Sequence, residues 1–153
     1  MSWEVVLLCL FPLFTVKITA IENPVNEGRN MQLSLDTGNG NYRIRAYEPG
    51  NITINNDHYQ SSMIVTPKQL VSDWPPQTIA ELLTAHLQDL LIDKPEVILL
   101  GTGSQCVFPE QDVLAPIRTQ QIGLEIMDTA AACRTFNVLM AEGRQVVAGL
   151  IIR

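Results

Sequence analysis

Residues 97–104 read Val-Ile-Leu-Leu-Gly-Thr-Gly-Ser, four uninterrupted apolar side chains running into a glycine-rich turn. A strand wetted on one face alternates apolar with polar residues. An unbroken run of this length suits a strand covered on both faces, as in a sheet flanked by helices. The chain after it repeats the theme. Residues 109–121 read as a short helix, with Pro109 near its start and the acids Glu110 and Asp112 in the first turn. Pro116 either kinks or divides it. Leu124-Glu125-Ile126-Met127 is a second strand, which Asp128 or Thr129 closes by capping a helix that runs to about Glu142 and stops at Gly143. Val146 through Ile152 is the last strand. A helix joins the strands near 97–100 and 123–127, so they are expected to be parallel.

Before residue 97 the pattern differs. After Trp74-Pro75-Pro76, Thr78 and Glu81 have capping-box spacing, and Ile79, Leu82, Leu83, Leu87, Leu90 and Leu91 follow at helical intervals until Asp93-Lys94-Pro95. His86 lies beside this stripe and reads as a packed, hydrogen-bonded residue. Further upstream the period falls to two. Tyr42, Ile44 and Ala46 alternate with Arg43, Arg45 and Tyr47, Pro49-Gly50 has type II turn chemistry, and Ile52 and Ile54 alternate in turn. Asn55-Asn56-Asp57 suits a hairpin, because Asn and Asp tolerate positive φ, and residues 58–66 return as a third strand. The plan is an antiparallel β-meander or hairpin layer followed by α-β-α-β-α-β: an α/β domain.

Composition narrows the function. Of 153 residues, 46% are apolar and 17% charged, a globular balance for one domain. The net charge of −6, with no Lys/Arg cluster, gives a phosphate backbone nothing to hold, so no nucleic acid is expected. Cys9, Cys106 and Cys133 form no CxxC pair, which fits a reducing compartment, and His58 and His86 have no ligand-spaced partner. Neither metal nor cofactor is expected.

Open α/β sheets bind ligands beyond the carboxyl ends of their strands. That edge carries Gly101, Thr102, Gly103 and Ser104 after one strand and Asp128 and Thr129 after the next. The turn nearly meets the dinucleotide fingerprint but has Cys106 at the third glycine position, and no Gly-Lys-Ser/Thr follows for a phosphate loop. A tight strand-to-helix turn accounts for the glycines as well. On the final helix Thr129, Ala132, Cys133, Phe136, Leu139 and Met140 share one face, so little of the helix expects water. Arg134 and Asn137, at i and i+3, project together. They bind a carboxylate, a carbonyl or a partner backbone, or they satisfy internal groups. Cys133 has no adjacent histidine to activate it and reads as packing. The binding candidates are therefore Gly101, Thr102, Gly103, Ser104, Asp128, Thr129, Arg134 and Asn137, and no residue stands out as catalytic.

Three stretches, Met127–Leu150 (MDTAAACRTFNVLMAEGRQVVAGL), Val97–Gln105 (VILLGTGSQ) and Tyr42–Gly50 (YRIRAYEPG), resemble a family of small domains of uncertain function. It includes a mitochondrial NADH:ubiquinone oxidoreductase complex assembly factor, an adipogenesis-associated protein, and bacterial and archaeal members, of which the bacterial ones are more similar. The resemblance implies a three-layer fold with a central mixed sheet. It implies binding or assembly work on a protein partner, such as a subunit of a membrane complex, and carries over no catalytic residue. A small-molecule or nucleotide-binding enzyme, with its site at the Gly101–Ser104 turn and the start of the 129–142 helix, is the alternative.

Residues 1–30 do not match the rest. The apolar stretch 5–16 follows Glu4 without a basic residue, contains Pro12, and falls short of the roughly 20 residues that span a bilayer. Either the domain begins at Met31 and occupies 31–153, placing the protein in the cytoplasm, or residues 1–30 are a degenerate signal or anchor that associates it with a membrane or exports it.

Overall fold

The computed structural model describes residues 41–153; the expectations for residues 1–30 and the exact start of the domain lie outside that range. Among the described residues, eight strands and three short or medium helices form three layers. The first sheet is the hairpin layer: β1 (Ile44–Glu48), β2 (Asn51–Ile54) and β3 (Asp57–Tyr59), all antiparallel. Gly50 at φ +85° completes the turn after Pro49, and Asn55 at φ 55° opens the next. Opposite Ile54 and Thr53 of β2, β1 places Ile44 and Ala46, leaving Arg45 as an extra, bulged residue. The bulge reverses the expected alternation beyond it: Ala46 is exposed and Tyr47 half-buried.

The second sheet has five strands in the order β5-β4-β8-β6-β7: β5 is Leu70–Val71, β4 Met63–Val65, β8 Val146–Ile151, β6 Val97–Thr102 and β7 Gly123–Met127. β6 runs parallel to both β7 and β8, and β4 is antiparallel to β8 and β5. The expected mixed sheet and the parallel pair are therefore present. β6 and β8 are buried along their whole length, so their side chains feed two cores. On one side Leu99, Ala148 and Leu150 meet Phe136 of helix α3 (Thr129–Ala141) and Ile44, Ile52 and Ile54 of the hairpin layer. On the other, Ile98, Leu100 and Val147 meet Trp74, Leu87, Leu90 and Ile117. Fully burying one such side chain contributes roughly 1.5–3 kcal/mol.

Three expectations need correction. The strand expected over 58–66 is two strands, β3 and β4, which belong to different sheets. The helix expected from 79 to 91 is broken. Residues Ile79–Glu81 form a 3₁₀ turn, Leu82 and Leu83 are extended, α1 spans only Thr84–Gln88, and Asp89–Leu91 is a second 3₁₀ turn. Thr78 caps nothing; Glu81 instead accepts the Gln77 N–H at 2.9 Å, and His86 Nδ1 accepts the Leu83 N–H at 3.2 Å. The helix expected over 109–121 shrinks to α2 (Ala115–Arg118), where Pro116 sits in the first turn, a position whose N–H needs no intrahelical partner.

Candidate functional site

The strand-end edge assembles around Thr129, which is fully buried at the start of α3. Its hydroxyl accepts the Gly103 N–H at 2.8 Å and donates to the Ile151 carbonyl, while its own N–H donates to the Gly103 carbonyl at 2.8 Å. One side chain thus ties together the ends of β6 and β8 and the first turn of α3. Thr102 does similar work for the following loop, donating to the Gln105 carbonyl at 2.6 Å and accepting the Val107 N–H at 3.0 Å. Of the two caps the sequence offers, Asp128 and Thr129, Asp128 is the N-cap, taking the Ala131 N–H at 2.8 Å.

The glycines of this turn answer to packing. A Cβ on Gly101 would lie 2.9 Å from the Thr129 hydroxyl and 3.1 Å from its Cα, and one on Gly103, at φ +100°, would collide with the Arg153 carbonyl. β6 and α3 can approach this closely because Gly101 has no side chain. Of the eight candidates, Gly101, Thr102, Gly103, Asp128 and Thr129 are brought together, but their polar groups largely serve one another. Ser104 is exposed at the rim.

Arg134 and Asn137 lie elsewhere, further along α3 against β1. Asn137 is committed: its Oδ1 accepts the Ile44 N–H at 3.1 Å and its Nδ2 donates to the Ile44 carbonyl at 2.7 Å. The amide completes one rung of a β-ladder on the free edge of β1. Arg134 is exposed and makes no ion pair among the described residues. Between them they line a recess of about 140 Å³ with β1. The helix is also wetter than its composition implies, with Arg134, Val138 and Ala141 exposed and Leu139 and Met140 only half-buried.

Cys133 is 5% exposed, and burial pushes its thiol up to about 12, with Asp128 adding to the rise and Arg134 opposing it. It is a neutral thiol near pH 7, hence no nucleophile. His58 Nδ1 is hydrogen-bonded to the Thr53 hydroxyl at 2.9 Å, and His86 packs edge-on to Trp74 on the other side of the sheet. Among the described residues no three His, Cys, Asp or Glu side chains gather as a metal site.

The loop after the glycine turn escaped the sequence reading. Val107 and Phe108 are 45% and 72% exposed, an apolar pair at the strand-end edge. The available signal was an apolar pair outside any periodic pattern, set between the turn and Pro109. A larger recess of about 490 Å³, lined by Thr66, Lys68, Asp93 and Arg144 among others, opens near the start of β8.

The architecture and this edge define a small three-layer α/β domain with a self-satisfied strand-end turn and an exposed apolar loop beside it. The chain belongs to the DUF498/DUF598 family of proteins of unknown function, whose model matches residues 44–151. A solved structure from Xanthomonas campestris is 42% identical, with a TM-score of 0.68 over 80% of this chain and 92% of that one. The "13 kDa major membrane protein" of Francisella tularensis is 27% identical over 67% of this chain and 85% of its own length. The "NADH dehydrogenase [ubiquinone] 1 alpha subcomplex assembly factor 3" of Xenopus tropicalis is 30% identical over 71% of this chain, which spans 60% of that protein. No helix among the described residues is long and apolar enough to cross a membrane.

Proposed function

We propose that the domain is a non-enzymatic binding module that engages a protein partner, in the manner of an assembly factor, through the edge formed by residues 101–108 and the start of α3. The observation that carries this reading is the exposure of Phe108 and Val107 beside a turn whose polar groups are already satisfied. An aromatic anchor next to a rigid turn is what a protein interface uses; a small-molecule site would offer unspent polar groups around a pocket. The name of the Xenopus relative supports assembly of an NADH dehydrogenase complex as the setting. The free thiols Cys106 and Cys133 support a reducing compartment such as the cytoplasm.

The test is affinity capture of detergent-solubilised membrane complexes by the full chain and by Phe108→Asp. Retention of a defined complex subunit by the wild type, with binding at least about thirtyfold weaker in the variant, is the expected result, since an aromatic hot spot contributes about 2 kcal/mol or more. Equal capture by both proteins would remove Phe108 from the interface. A stoichiometric small molecule in native mass spectra of the freshly purified protein, with no subunit captured, would return the site to the small-molecule reading.

A further inference from the structure

The recess between β1 and α3 differs in chemistry from the rest of this acidic chain. Arg45 and Arg134 both line it, and no carboxylate does. Neither guanidinium has an ion-pair partner among the described residues, whereas Arg144, just past the C-terminal end of α3, holds Glu96 at 3.4 Å. Tyr47 also lines the recess. Its hydroxyl is buried beside Cys133 and the Asp128–Thr129 corner, next to the Thr129 side chain.

Shape and lining limit what fits. A volume of about 140 Å³ corresponds to about five waters at ~30 Å³ each, room for a carboxylate with a short alkyl stem. The side chains of Ala46, Ala130 and Cys133 supply an apolar lining, and the amide of Asn137 is spent on Ile44. Polar recognition is therefore left to two guanidinium forks, which match the geometry of a carboxylate.

We infer that this recess binds a small carboxylate, held by Arg45 and Arg134 with its short alkyl stem against Ala46, Ala130 and Cys133. The site shares no lining residue with the 101–108 loop, although Ala130 belongs to the first turn of α3. The carboxylate comes either from a free short-chain acid or from the C-terminus of a polypeptide, and the experiment separates the two.

The full chain is titrated with propionate, with its neutral isostere propionamide, and with N-acetylglycylalanine and its C-terminal amide, following the backbone amide signals of Ala46 and Ala130. Propionate should give saturable shifts and propionamide none. Arg45→Gln and Arg134→Gln should each weaken propionate about tenfold or more. Both side chains are exposed, so the melting temperature should not move. Tighter binding of N-acetylglycylalanine than of propionate assigns the site to a polypeptide carboxylate; equal or weaker binding assigns it to a free acid. The inference fails if neither acid saturates the shifts, if propionamide titrates like propionate, or if both arginine variants bind like the wild type.

Discussion

Cys133 turns burial into a pH dependence. Its thiol ionises near 9.0 when solvated and near 12 in the fold, because the apolar face of α3 desolvates the thiolate. The folded pKa is raised, so stability is fully present below the unfolded value. Above it, the unfolded chain releases a proton that the folded chain keeps. Stability should then fall between about pH 9 and about pH 12, with a limiting slope of about 1.4 kcal/mol per pH unit. Tyr47, also raised from 10.0, chiefly by burial, acts in the same sense above that value. Denaturant unfolding at pH 8 and pH 10.5 should show the loss, and Cys133→Ala should flatten it. A variant as steep as the wild type would mean that another group titrates. The cysteine's burial was legible in its place on a helix face. The bond from Asn137 to Ile44 was not, since it joins residues 93 apart that share no local pattern.

Among the elements, those whose pattern and end signals agreed were legible. β6 and β8 have long apolar runs and α3 a cap and a glycine stop, and the sequence places these and the shorter β7 within a residue or two. The segment 79–91 had helical spacing but lost to tertiary contacts. Extending the chain at Leu82 and Leu83 buries Leu82 against Trp74 and its neighbours while leaving Leu83 59% exposed, an exchange no local propensity encodes. The β1 bulge is similarly silent, because alternation in the sequence continues through Arg45 although the register does not. Asn137 joins α3 to that bulged strand, and removing it tests how the two elements cohere. Asn137→Ala leaves the Ile44 N–H and carbonyl without their partner, at a cost of about 1–3 kcal/mol for each group that water cannot reach. The Ile44 amide should then exchange with solvent much faster, while amides in β6 keep their protection. Unchanged exchange at Ile44 would show that the rung contributes nothing.

For the whole molecule, both cores, among the described residues, are built between Tyr42 and Ile152. A chain cut to residues 31–153 should therefore keep one cooperative thermal transition, close to that of the full chain. Loss of that transition would place part of the stability before Met31. The layer plan was legible because alternation, continuous apolar runs and helix caps each mark a different layer. The site was less so, because glycines that let backbone approach backbone look the same in sequence as glycines that admit a ligand, and only the contacts of Gly101 and Gly103 tell them apart. The strand order carries one more consequence. β8, made after every other strand of its sheet, lies in the middle of it between β4 and β6. On a ribosome, the emerging chain therefore holds two half-sheets, each with a bare hydrogen-bonding edge, until Val146–Ile151 clears the exit tunnel. For that interval the nascent protein depends on chaperones, or on speed, to keep those edges from other chains.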